Sequence, residues 1–196
     1  MIVTRDFFKR TTVGLSKALL GTYLLHDSEE GRTAGRIVET EAYLFRGDPA
    51  CHAARGETKR NSAMFGPAGH CYIYLIYGMH YCFNVVSGKE KEGEAVLIRA
   101  LEPVEGIELM KKRRGTDLLR NLCSGPAKLV EAMGIRHAAN GSSLRTGPIR
   151  ILTRDSYPPA HTRAPQTVVT NRIGISSGAE LPLRFYVKGS EFISRK

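Results

Sequence analysis

Hydrophobic and polar residues recur in this chain with two different periods, and the changes of period mark out its elements. In TTVGLSKALL (residues 11–20), Val13, Leu15, Ala18 and Leu19 return at helical spacing and Gly21 supplies a stop, which predicts a short helix. The period then falls to two. Across residues 35–44, Ile37, Glu39, Glu41 and Tyr43 share one face of an extended chain, while Val38, Thr40, Ala42 and Leu44 share the other. One face is apolar enough to bury, and the opposite one carries two carboxylates beside a tyrosine. Residues 71–86, CYIYLIYGMHYCFNVV, read as two antiparallel strands joined by a tight turn at Tyr77-Gly78-Met79. Residues 95–101 form a further strand, apolar except for Arg99.

Between these segments the signals are local. Asp48-Pro49 predicts a helix start, with Asp as N-cap and Pro at the first position, and the short helix it opens carries His52. Residues 55–69, rich in glycine and polar groups, predict a long loop of the kind that is more often functional than accidental. Residues 103–114 predict a helix whose acidic start and Lys111 to Arg114 end suit the macrodipole. Ser124-Gly125-Pro126 opens another helix that Gly134 closes. Residues 137–167 are turn-rich around a strand at 149–152, and 183–187 is a last strand. The pattern describes one domain without repeats or linkers, of α/β class, and by itself suggests a mixed sheet.

Composition narrows the class. The chain has 196 residues with 42% hydrophobic and 24% charged content, enough to bury a core without disulfides or metals. Its formal net charge is +10, which favours a polyanionic partner, nucleic acid or an anionic membrane surface, without choosing between them. The excess is uneven: residues 1–100 carry +2 and residues 101–196 carry +8. That points either to a merely solvated basic surface or to the later segments, Lys128 and the Lys111 to Arg114 run among them, as the grip on phosphates. Cys51, Cys71, Cys82 and Cys123 form no C-x-x-C pair and have no zinc spacing with histidine, so reduced thiols in a cytoplasmic setting are expected, with no metal. The first ten residues lack a signal-peptide core, and no run reaches the ~18 apolar residues of a membrane span.

Several residues stand out chemically. Glu41 is either an ion-pair partner or, with Tyr43 about 6.6 Å along the same strand face and His52 soon after, part of a site that activates water beside a stacked base. The tyrosines at 72, 74, 77 and 81 are either core or binding surface. Tyr77, set against Gly78 at the turn, suits insertion between base steps. Arg99 in an apolar strand must meet a carboxylate, with Glu39 or Glu41 as partner, or a ligand phosphate. Asn84 either satisfies local backbone or faces a pocket. Ser124 to Lys128 is either a plain helix start or a phosphate site.

IVETEAY at 37–43, DPACHAARG at 48–56, RNSAMFGPAGH at 60–70, YIYLIYGMHYCFNVV at 72–86, VLIRALEP at 96–103, LCSGPAKL at 122–129 and LPLRFYVKG at 181–189 together resemble the alkyladenine (methylpurine) DNA glycosylase family, in order, from about residue 11 to 190. The resemblance implies one compact α+β domain with a curved, mainly antiparallel sheet, surrounding helices and a protruding β-hairpin. It implies Glu41 as the general base that activates water, with Arg99 supporting the water and a neighbouring phosphate. Tyr43, His52 and Tyr74 would wall the pocket, the main chain around Ala50 would read the base edge, and Asn84 would exclude the amine of guanine. Tyr77 would fill the gap left in the duplex, and Met79, Arg60 and Lys128 would also contact DNA. No metal or cofactor is implied. The chain departs from the family at Lys59 in a T-P-R-N run and at Phe45-Arg46 after E-A-Y-L, both beside the pocket. The residues from 136 to 170 match poorly and are given no role.

The resulting expectation is a monomeric, monofunctional enzyme that flips and hydrolytically excises damaged purines from double-stranded DNA. Two competing readings are a non-catalytic sensor of distorted duplexes and an RNA-directed hydrolase on a similar scaffold.

Overall fold

The computed structural model describes residues 1–158 and 163–195. Helix α1 (Thr12–Leu19) starts where the pattern places it: Thr11 Oγ1 accepts from the Gly14 N–H at 3.2 Å, and Leu15 and Leu19 are buried. After it come strands β1 (Tyr23–Ser28) and β2 (Gly31–Tyr43), paired antiparallel as a hairpin. The period of two does not reveal β1, because Tyr23, Leu24, Leu25 and His26 are all buried and leave no alternation to read.

Strands β3 (Cys71–Ile76), β4 (His80–Ser87), β5 (Glu94–Glu105), β6 (Ile149–Leu152), β7 (Thr167–Thr170) and β8 (Arg184–Val187) complete an eight-stranded sheet of order β3-β4-β5-β2-β1-β6, with β7 held by β8. Strand β2 is its hub. One edge pairs with β5; the other is shared, β1 taking the first half and β8 taking Glu39 to Glu41. Every pairing among these strands is antiparallel, so the sheet is not mixed. Short hairpins join β1 to β2, β3 to β4 and β4 to β5, and a parallel return needs a long crossover. The sheet curls into a half-barrel. Helix α1, with α2 (Ile107–Arg114), α3 (Leu119–Leu122) and α4 (Pro126–Met133), completes the domain. Leu15, Leu19, Val38, Ala42, Phe83, Val85, Ile98, Leu129 and Met133 belong to one core. A second, smaller cluster around Tyr72, Val86, Met64 and Phe65 supports Tyr43 and Tyr74.

Three local expectations are corrected. Pro103 does not begin a helix: β5 runs on to Glu105, and Pro103 sits opposite Gly35 at a shift of register, where a missing N–H is tolerated. Asp48 does not cap a helix either; it is buried, and only a single 3₁₀ turn, His52–Arg55, follows. The long loop is interrupted by another such turn, Ser62–Phe65. By contrast, α4 opens at Pro126 and stops at Gly134 (φ 66°) as read, and a Cβ there would lie 2.5 Å from the Arg113 guanidinium.

Three members of the Lys111 to Arg114 run already have acidic or carbonyl partners within the chain, and Lys112 is exposed. Arg113 donates to Glu30 at 2.8 Å and to the Ala132 carbonyl at 3.1 Å, Arg114 pairs with Glu131, and Lys111 pairs with Glu108. Arg150, Arg172 and Arg184 likewise reach back to Asp27, Asp48 and Glu39. Arg113, Arg150, Arg172 and Arg184 therefore cross-link the second half of the chain to acids of the first. The four cysteines are buried and unpaired. No helix among the described residues is long and apolar enough to cross a membrane.

Candidate active site

A cavity of about 440 Å³ opens beneath the β3–β4 hairpin, between the sheet and the start of α4. Tyr43, Ala50, His52, Tyr74, Tyr77, Arg99 and Lys128 all line it, so seven residues singled out in the sequence meet in one place. Ile173 to Ile175, from the segment between β7 and β8, close the far wall.

Glu41 lies just behind that wall and is fully buried. Its three hydrogen-bond donors line the cavity. Oε2 accepts from the Tyr43 hydroxyl at 3.0 Å and from Arg99 Nη1 at 3.1 Å, and Oε1 accepts from the Ile173 N–H at 2.8 Å. Burial raises the carboxyl above the ordinary range, with Arg99 and the hydrogen bonds pulling it part of the way back. Arg99 reaches this position through two offset bulges. Ile37 pairs with Leu101 and Glu39 with Ala100, which leaves Val38 unopposed on β2; Thr40 then pairs with Ile98, which leaves Arg99 unopposed on β5. An extra residue of this kind re-aims its side chain, and Arg99 lies between Glu41 and Glu39, 3.4 Å from the latter. Both carboxylates foreseen as partners are engaged.

The aromatic walls are held by their own contacts. The His52 ring meets Tyr74 edge-on at 4.5 Å between centroids, and Tyr74 lies 5.3 Å from Tyr72. His52 Nδ1 is 3.0 Å from the Tyr72 hydroxyl. Desolvation, followed by the charge of Arg60, lowers the His52 pKa, which favours a neutral ring. Burial, then the charge of Glu41, raises the Tyr43 hydroxyl, so it remains a donor. The Arg172 guanidinium stacks 4.7 Å from the Tyr43 centroid and is itself clamped by Asp48 through two bonds of 2.6 Å.

The hairpin carries its tip outward. Tyr77 is 81% exposed and Met79 71%. Tyr77 and Gly78 both take positive φ, 53° and 71°, the sense of turn that matches strand twist, although tyrosine is strained there. Asn84 does not line the main cavity. It is buried, donates to the Tyr72 carbonyl at 3.0 Å, and borders a small void behind Tyr43, His52 and Tyr74. Arg60 also stands apart, donating to the Leu75 carbonyl at 2.8 Å and lining a separate cleft on the other side of the hairpin with Lys59, Tyr81 and His137.

Sequence reasoning missed Asp48, Arg172, Ile173, Arg184 and Ser194 as parts of this site. Asp48 had a signal that its helix-start reading masked, and Arg184 lay in the last strand read at 183–187 without a partner being assigned; Arg172, Ile173 and Ser194 come from segments without regular period.

The family model described as methylpurine-DNA glycosylase (MPG) matches residues 6–191. Relatives named "Putative 3-methyladenine DNA glycosylase" include one from Methanoculleus marisnigri, 56% identical over 196 residues and covering all of both chains. One from Carboxydothermus hydrogenoformans is 50% identical over the same full lengths. Another, from Chlorobaculum tepidum, is 49% identical over 97% of this chain and 89% of its own. The chain belongs to the methylpurine-DNA glycosylase family, a family of DNA N-glycosylases.

Proposed function

We propose that this chain excises alkylated purines from duplex DNA by hydrolysing the N-glycosidic bond of a nucleotide flipped into the 440 Å³ cavity. The carrying observation is the buried Glu41, whose three donors, Tyr43, Arg99 and Ile173, all form the wall of an aromatic pocket. The extruded base stacks between Tyr43 on one side and His52 with Tyr74 on the other. Main-chain groups at Ala50 and His52 read its edge, and Asn84, behind the aromatic wall, limits what the pocket accepts. Tyr77, strained and exposed at the hairpin tip, takes the place of the flipped nucleotide in the stack. Lys128 and the start of α4 meet the backbone phosphates, with Arg60 and Met79 on the hairpin side.

In the chemical step water adds to the sugar C1′, its proton passes to Glu41, and the C1′–N bond breaks with its electron pair leaving on the purine. An alkylated purine that carries positive charge departs as a neutral base, so the enzyme has chiefly to place water and stabilise a cationic sugar. Water gains Glu41 Oε2 when the Tyr43 hydroxyl releases it, and Arg99 holds the carboxylate in place. A raised carboxyl pKa suits a base working near neutrality.

The test is release of methylated purines from methylated duplex DNA by the wild type and by Glu41→Gln. The substitution is expected to slow release by at least about 100-fold, the lower end of general-base effects. Release at the wild-type rate would remove Glu41 from the role, and lesion binding with no release would favour a sensor.

A further inference from the structure

Arg99 stands between two buried carboxylates, so its hold on Glu41 depends on how the other one is occupied. Glu39 is fully buried. Its Oε1 accepts from Arg184 Nε at 2.6 Å and from the Ser194 hydroxyl at 2.9 Å, and its Oε2 accepts from the Ser194 N–H at 2.6 Å. Arg99 Nε lies 3.4 Å from the same Oε1, while Nη1 reaches Glu41 at 3.1 Å. The four groups make an alternating line, Arg184, Glu39, Arg99, Glu41, with no net charge and its Glu41 end at the cavity. Ser194 sits inside the line: its hydroxyl donates to Glu39 and accepts from Arg99 Nε and Nη2, both at 3.4 Å.

This arrangement has a direction. A guanidinium offered two carboxylates is drawn toward the one with fewer other donors. Apart from Arg99, Glu39 receives three hydrogen bonds and Glu41 two. Removing the Ser194 hydroxyl frees a lone pair on Glu39 Oε1 and the space beside it. Arg99 Nε then closes on Glu39 and draws Nη1 away from Glu41.

We propose that Glu39, Arg184 and Ser194 are positioning residues that keep the Arg99 guanidinium on Glu41. The proposal rests on the reading of Glu41 as the base. Ser194 lies beyond residues 6–191, the span the family model matches. The charged and titratable groups around Glu41 are Arg99 on β5, Tyr43 on β2, Cys82 on β4, Arg184 opposite it on β8, and Arg172 in the segment before β8. Of these, Ser194 is hydrogen-bonded to Arg99.

The experiment is single-turnover base release from methylated duplex DNA across about pH 5 to pH 9, the range that brackets a raised carboxyl. Ser194→Ala should move the acid limb upward by about one unit, the low end of the ~1–3 units that a neighbouring arginine exerts on a carboxylate, whatever the change in melting temperature. Ser194→Thr, which keeps the hydroxyl, should restore the wild-type limb. A Ser194→Ala profile that superimposes on the wild type overturns the proposal, as does a lower rate, with or without a lower melting temperature, whose limb has not moved. Glu41→Gln separates the two ideas. Wild-type release by that variant sinks the reading of Glu41, whereas an inactive Glu41→Gln beside an unshifted Ser194→Ala sinks the positioning role alone.

Discussion

Asp48 and Arg172, 124 residues apart, form an ion pair in which both side chains are fully buried. Two bonds of 2.6 Å join them, and the Asp48 oxygens also accept from the Leu44 and Ala50 N–H groups at 3.1 Å. Arg172 gives its remaining bonds to the Ala42 and Gly178 carbonyls. Asp48→Ala therefore strands a guanidinium that no water reaches. Breaking a buried pair from one side costs roughly 3–5 kcal/mol, mostly the penalty on the charge left behind. With a urea m-value of ~2.5 kcal/mol/M, suited to a chain of this size, the unfolding midpoint should fall by about 1–2 M. Equilibrium urea unfolding followed by circular dichroism measures it. Asp48→Ala/Arg172→Met is the control, because it removes both charges; it should recover part of the loss. A single variant within ~1 kcal/mol of wild type, or a double variant no more stable than the single one, would refute the argument. Surviving folded Asp48→Ala should also bind lesion DNA more weakly, since Arg172 backs Tyr43 and the adjacent Ile173 N–H holds Glu41.

Other consequences are independent of that pair. Tyr77→Gly should weaken binding to lesion duplexes in fluorescence anisotropy yet leave thermal stability unchanged or higher, because glycine relieves a positive φ of 53° at an exposed position; a lower melting temperature would contradict the strain argument. The acid limb of kcat/KM should lie above the ordinary carboxylate range, since Glu41 must be ionised to take a proton and burial raises its pKa. Activity is then lost as pH falls through that raised value, and a limb in the ordinary range would dissociate it from Glu41. Lys128→Ala should reduce the slope of log K against log salt by about one, the share of a single phosphate contact. Arg113→Ala should leave the slope unchanged and lower stability, because Arg113 serves Glu30 and the end of α4.

What the sequence determined by itself is whatever short-range geometry controls. The helical spacing of Leu15 and Leu19 and the left-handed Gly134 mark their helices because a periodic face and a terminating glycine act within a few turns of chain. The tyrosine-rich hairpin with its Tyr77-Gly78 tip, and the strand face bearing Glu39, Glu41 and Tyr43, follow from a period of two and a turn signal. The blocks resembling a known family added the site, and the cavity gathers most of the residues they named. Tertiary structure alone decided how the buried charges are shared. Asp48 reads locally as a cap, yet it is an ion-pair partner for a residue in an irregular segment far along the chain. Arg99 reads as a cation that must meet Glu39, Glu41 or a ligand phosphate, and offset bulges carry it to both carboxylates at once. The excess of +8 in residues 101–196 reads as a surface for DNA, but several of its arginines are spent on acids of the first half. Buried charges must find partners wherever the fold brings opposite charge close, and that proximity has no period along the chain.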